Sequence, residues 1–299
     1  MMAPATGPGG RLASIRFRAG IGGEPILQEM QASEAIEFQP APWGAWIVTS
    51  ATHPVPGDHH VLKVATGVGC CAEMRSLGAV VAGRPEGRPG QGCPADGRPD
   101  RSRPVESGET VGSSLTVNAT VASDAMLTWV PDPGLATEGC DHRHDSLVQL
   151  ASSARLLWRD EFMVGRRCEG RAGTWRSRLR VARDGWPVVS SELAVGTGSP
   201  LWGSPAVLNG ARAVSFMVVV DPGQPSDAWS TARARTGSAT GVALPLSAPG
   251  LQLVAWGDDL MECRAAIDSM LDAGGVPPWA AGRWNGRRPM ERATPGVHR

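Results

Sequence analysis

Apolar and polar positions alternate with a period of two along most of the chain. In LTVNATV, Leu115, Val117, Ala119 and Val121 alternate with Thr116, Asn118 and Thr120, which puts one face of a strand in a core and the other in water. In WRSRLRVAR, Trp175, Ser177, Leu179 and Val181 share one face, and Arg176, Arg178 and Arg180 share the other. Strand-sized apolar segments also cover 61–66, 125–130, 146–150, 154–163, 187–195, 213–220 and 251–256. Turn formers separate them, as in VPGD at Gly57, PDPG at Gly134 and RDGWP at Gly185,. Many short strands with few helical patterns predict an all-β fold of stacked or sandwiched sheets. One C-terminal helix is expected near Asp258 to Asp272. Asp258 and Asp259 can cap it, Leu260, Cys263, Arg264, Ile267, Met270 and Leu271 follow helical spacing, and Gly274 can end it,. A weaker helical pattern begins near Ser226 and carries Trp229. No internal repeat is visible. Residues 83–112 and 275–299 are rich in Gly, Pro and Arg. They are expected to form a long surface loop and a disordered tail of one domain spanning 1–299, because strand signals of the same kind lie on both sides of the loop.

Composition narrows the function classes. The 299 residues suffice for a sizeable core,. With 29 basic and 29 acidic side chains the chain is neutral, so no long-range field recruits nucleic acid or an anionic membrane. Lys63 is the one lysine and tyrosine is absent, whereas tryptophan (11) outnumbers phenylalanine (4), a skew that reads as a GC-rich genome. No apolar run reaches the roughly 20 residues of a membrane helix, and AVSFMVVV around Phe216 is strand-sized. The start lacks an apolar run of signal-peptide length, so a cytoplasmic location is expected. Cys70, Cys71, Cys93, Cys140, Cys168 and Cys263 contain no CxxC and do not resemble a disulfide framework,.

Chemistry-bearing residues are sparse. CDHRH sets Cys140, His142 and His144 at alternating positions, so an extended strand would project all three from one side, with ligand types suited to zinc, nickel or copper. His59 and His60 follow Gly57 and Asp58 in a turn, where a transient metal contact is the sharper reading and an exposed polar turn the plainer one. Asp160 and Glu161 interrupt the apolar run ARLLWRDEFMVG, either at a bend facing water or partly buried against an arginine. With Asp160 or Glu161 as the acid, the chain would be a β-sandwich hydrolase, which also needs a second carboxylate at a defined distance. No GxSxG, P-loop, GxGxxG or HExxH motif occurs,. The Arg176, Arg178 and Arg180 face lacks interleaved aromatics, so it suits a solvated face or a protein contact in a generic interaction module better than phosphate.

The order of segments resembles a known family. LTWVPDP (Leu127 to Pro133), the Leu157, Trp158 and Asp160 element, and the Val164, Gly165 and Arg166 turn match the central block of the urease accessory protein D family (UreD/UreH) in order and spacing. Upstream, PVPGDHHVLKVATGVG resembles the family's glycine and aspartate segment, with Gly57 and Asp58 in the matching places, and LVAWGDDLMECRAAIDSML resembles its last strand and helix. The resemblance spans roughly Arg11 to Asp272. It departs at CAEMRSLGAVVAG, which has no Lys or Tyr, and at Ser191 and Glu192 after Trp186. It implies a non-enzymatic maturation scaffold that binds apo-urease and UreF, which recruits the nickel-carrying GTPase UreG. Nickel(II) would then pass through transiently, with no tightly bound cofactor. Asp58, Asp160 and Glu192 are the transit candidates that follow, and Cys140, His142, His144, His59 and His60 rank behind them.

Overall fold

The computed structural model describes residues 11–49, 57–77, 80–82, 112–165, 173–199, 201–225, 227 and 230–273. The expected loop, apart from Gly112, the expected tail and most of the weaker helical pattern near Ser226 lie outside these residues. In chain order the strands begin with β1 (Arg11–Ala19), β2 (Pro25–Gln31), β3 (Ile36–Ala41), β4 (Gly44–Thr49), β5 (His59–Thr66), β6 (Cys71–Leu77) and β7 (Val80–Ala82). Next come β8 (Ser113–Val121), β9 (Met126–Val130), β10 (Gly134–Ala136), β11 (Asp141–Leu150), β12 (Arg155–Val164), β13 (Thr174–Arg183) and β14 (Trp186–Val195). The chain closes with β15 (Ala213–Val220), β16 (Ala232–Thr236), β17 (Ala239–Pro245), β18 (Gly250–Gly257) and the helix α1 (Leu260–Ala273). The all-β expectation with a C-terminal helix is therefore met.

Two sheets stack on one another. The first has seven strands in the order β14-β13-β11-β8-β5-β1-β2, and the second has eleven, with β16-β17-β18-β15-β12-β9-β6-β4-β3 as its path and β10 and β7 attached to β12. Strands β1, β5, β8, β11 and β13 are mutually parallel. Parallel neighbours need a crossover, most often a helix. Here strands of the other sheet provide it, because the chain steps from β5 to β6, from β8 to β9 and from β11 to β12 through four-residue corners at 67–70, 122–125 and 151–154. Each corner is closed by a backbone bond from its fourth residue to its first: Cys70 to Gly67 (3.1 Å), Ala125 to Ala122 (3.2 Å) and Ala154 to Ala151 (3.0 Å). Successive corners also bond to each other, Gly69 N to Ser123 O at 3.0 Å and Asp124 N to Ser153 Oγ at 2.9 Å. The fourth residue, Cys70, Ala125 or Ala154, is fully buried where nothing larger than a small side chain fits between the sheets. Three equivalent corners thus form a structural repeat that no long sequence segment shares.

Between the sheets, the even positions of β5 and β11 and the odd positions of β1, β8 and β13 meet the even positions of β6 and β12. Trp129 and Trp158 are register partners on β9 and β12 and stack with centroids 4.8 Å apart and planes 11° from parallel, an arrangement worth about 1 kcal/mol beyond the area it buries. On its other side the eleven-stranded sheet carries α1, whose Leu260, Cys263, Ile267, Met270 and Leu271 pack on Met217, Val219, Leu251 and Leu253. Asp259 caps this helix, its Oδ1 accepting from the N–H groups of Met261 (2.7 Å) and Glu262 (3.3 Å),.

Gly44 opens β4 with φ +152°, and a Cβ there would strike the backbone carbonyl of Glu73 on the neighbouring strand. Gly44→Ala must push β4 off β6, with an expected loss of about 2 kcal/mol in urea unfolding. An unchanged midpoint would show that the strand pair yields at no cost.

Candidate functional site

Parallel pairing sets the site by bringing distant residues into rows. One row across the inner face runs His60, Leu115, His144 and Ser177 on β5, β8, β11 and β13, and the next runs Ser113, His142 and Trp175. The facing sheet contributes Asp160 from β12, Trp129 from β9 and Ser76 from β6. All of these but Ser113 and Ser177 line, together with Asp132 and several apolar side chains, a cavity of about 80 Å³ between the sheets, room for a few water molecules.

Asp160 is buried at its centre. The Ser177 hydroxyl donates to its Oδ2, and His144 Nδ1 lies 3.7 Å from the same oxygen. Burial by itself would raise the Asp160 pKa, but attraction to His144 and hydrogen bonds from His144 and Ser177 outweigh it, so the carboxyl is held below its ordinary range,. His144 Nε2 is 3.3 Å from Ser146 Oγ. His142 shares a 2.9 Å hydrogen bond between Nδ1 and Ser113 Oγ and packs its ring 4.4 Å from that of Trp175. Burial, then the neighbouring His144, pushes its pKa down to about 3 against a smaller upward pull from Asp160, so it is a neutral histidine at physiological pH. The indole N–H groups of Trp129 and Trp175 are buried without a hydrogen-bond partner among the described residues. The cavity therefore presents two carboxylates, Asp160 and Asp132, and three imidazoles within a largely apolar lining, polar points at which water or a small ion can be held.

The other sequence candidates take separate positions. Asp58 directly precedes β5 after the Gly57 turn (φ +90°), and its Oδ2 lies 3.9 Å from His60 Nε2 at the edge of the same cavity. Period two sends His59 to the opposite face, exposed, with its Nδ1 2.9 Å from Ser114 Oγ. Cys140 sits just before β11, buried, with its thiol donating to the Thr174 carbonyl at 3.6 Å. Cys70, Cys71, Cys140 and Cys263 are all free thiols. Glu192 lies on the outer face of the seven-stranded sheet, half exposed, with Arg178 Nε 3.1 Å away. Among the described residues, no group of three His, Cys, Asp or Glu side chains is placed to hold a metal ion.

Of the two settings expected for Asp160 and Glu161, a bend facing water is overturned, and burial against an arginine is what Glu161 shows. The two residues mark no bend, because β12 runs through them unbroken. Being consecutive, they face opposite sides of the sheet. Asp160 enters the cavity, whereas Glu161 points toward α1, where Arg264 Nη2 donates to Oε2 at 2.6 Å and Ser215 Oγ to Oε1 at 2.9 Å. Asp160 and Glu161 therefore cannot serve one substrate together as acid and base,.

Sequence reasoning did not assign a role to Ser113, Ser146, Ser177, Trp129 or Trp175. The signal was present in part: a hydroxyl on the apolar face of a strand, as Ser177 is among Trp175, Leu179 and Val181, marks a polar interior.

The family model described as UreD urease accessory protein matches residues 38–292. A urease accessory protein UreD from Frankia alni is 32% identical over 296 residues, covering 90% of each chain. One from Streptomyces coelicolor is 31% identical over 226 residues, covering 75% of this chain and 79% of its own. A UreD 3 protein of Streptomyces griseus is 35% identical over 160 residues, or 53% of this chain and 61% of that one. A match over most of the chain, from β3 through α1, shows that it belongs to the UreD family of urease accessory proteins.

Proposed function

We propose that this protein is a cytoplasmic maturation scaffold that binds apo-urease and, with UreF and the GTPase UreG, assists delivery of nickel(II) into urease. In this reading it is not an enzyme and keeps no tightly bound cofactor. The observation that carries the interior part of the reading is the Asp160 cavity, a buried carboxylate among imidazoles between the two sheets. Two carboxylates, Asp160 and Asp132, in a largely apolar lining offer a divalent ion incomplete coordination, so the ion would dwell briefly and leave. Asp58 and His60, at the edge of the cavity, would form its mouth. Among the described residues no helix is long and apolar enough to cross a membrane.

The test is co-expression of urease with UreF, UreG and variants of this chain. Asp160→Asn keeps an acceptor for Ser177 and should lower urease activity and nickel content at least tenfold, with yield and unfolding midpoint close to wild type. Asp58→Ala should act in the same direction. Glu192→Ala, on the outer face, should retain activation if the route is interior. Loss of solubility in step with loss of activation would mark Asp160 and Asp58 as structural groups and remove the transit role.

A further inference from the structure

Among the described residues, no element packs on the outer face of the seven-stranded sheet. α1 packs on the other sheet, and outward side chains of β1, β5, β8, β11 and β13 are exposed or half-buried. Parallel sheets are ordinarily covered on both faces, so five exposed parallel strands are a surface with something missing. Its charge says what. Three ion pairs lie across it, Arg16–Glu29, Arg143–Asp145 and Arg178–Glu192. Arg18, Lys63, Arg176 and Arg180 are exposed on the same face and have no ion-pair partner among the described residues. A chain that is neutral as a whole therefore presents a basic face here. Leu147, which is 40% exposed, sits in register with Arg180 and supplies an apolar contact near its middle.

We infer that this face docks a folded partner protein through an acidic surface. Charge excludes the occupants nearest to hand. Residues 274–299 carry five arginines and one glutamate, so that segment would be repelled. Residues 83–111 carry five arginines and five acidic residues and have no net attraction. A second copy would bring the same basic face. Seven strands at about 4.8 Å spacing and eight residues at about 3.3 Å give a patch of roughly 800 Å², the size each partner contributes to a stable complex. No Phe or Trp is among the outward residues of the five parallel strands, so the stacking platform that single-stranded nucleic acid uses is missing.

The inference rests on the urease maturation reading for its probes, which are purified apo-urease and purified UreF. Binding of the full chain to at least one of them should weaken at least tenfold between 50 and 300 mM NaCl, and Arg176→Glu/Arg180→Glu should weaken it by a further tenfold or more while unfolding at the wild-type midpoint. The milder Arg176→Gln/Arg180→Gln pair should give an intermediate loss and guards against a folding artefact. Binding that is intact in both pairs overturns the docking face alone. Failure of the wild type to bind either probe overturns both readings. Salt-sensitive binding to a single-stranded RNA oligonucleotide that the same variants abolish, or self-association that they abolish, would replace the acidic partner by RNA or by a second copy and overturn the inference.

Discussion

Glu161→Ala is expected to cost about 3–5 kcal/mol of folding stability, a large share of what a domain possesses. The Glu161 side chain is completely buried and takes hydrogen bonds from Arg264 Nε (3.1 Å to Oε1) and Nη2, and from Ser215. Arg159 Nε lies 3.5 Å from the same carboxylate and is itself almost fully buried. Burial pulls the Arg159 pKa down and Glu161 opposes that pull, whereas the hydrogen bond to Glu161 raises the pKa of Arg264. Removing the carboxylate leaves two guanidinium groups facing one another, with Asp132 the remaining carboxylate that acts on both. Arg264 also belongs to α1, so the variant detaches the charged edge of the helix from its sheet. Urea unfolding should show the lower midpoint, and Arg264→Met, which relieves one of the two cations, should recover part of the loss when combined with Glu161→Ala. A single variant within about 0.5 kcal/mol of wild type would show that the cluster contributes nothing net, an outcome known for some buried ion pairs.

Stability should fall with acid well before ordinary carboxylates titrate. The pKa of His142 is lowered to about 3 in the folded state, against about 6.5 when unfolded. The sign follows from the depressed value: the folded protein keeps His142 neutral while the unfolded chain takes up a proton, so its contribution is complete above pH 6.5 and is lost as pH falls toward 3. Each pH unit in that window costs about 1.4 kcal/mol. Asp160, also depressed, contributes in the same direction only below about pH 4,. Unfolding midpoints at pH 7.5, 6 and 5 should therefore decline, and His142→Gln should flatten the profile between pH 6.5 and 4.5. The groups facing His142 are His144, Asp160 and His60, so an equal slope in His142→Gln would transfer the effect to one of the other histidines.

Both expectations depend on which side of a strand a residue faces, and much of that was legible beforehand. The alternation in LTVNATV and WRSRLRVAR assigned inner and outer faces to β8 and β13 correctly, and it set Arg176, Arg178 and Arg180 in a row on the outside. The helix spacing from Leu260 onward was legible because a buried stripe repeats every three to four residues. Strands β1 to β4 were not singled out. In β2 no position is buried, so its faces show no contrast, whereas β1 and β3 do alternate buried with exposed positions. The corners at 67–70, 122–125 and 151–154 escaped notice as a repeat because their equivalence lies in backbone bonding and a small buried fourth residue, which Cys70 and Ala125 satisfy with different side chains.

The sequence by itself determined the fold class, the C-terminal helix, the family and the face on which most strand residues lie, since these follow from local periodicity and from the order of segments. Only the tertiary structure decided that His60, His144 and Ser177, separated by 84 and 33 residues, stand in one row opposite Asp160. The physical reason is that a side chain's direction is fixed within its own strand, whereas its neighbours are fixed by which strands pair and in what register. Here that pairing is set by a chain that crosses from sheet to sheet at every corner.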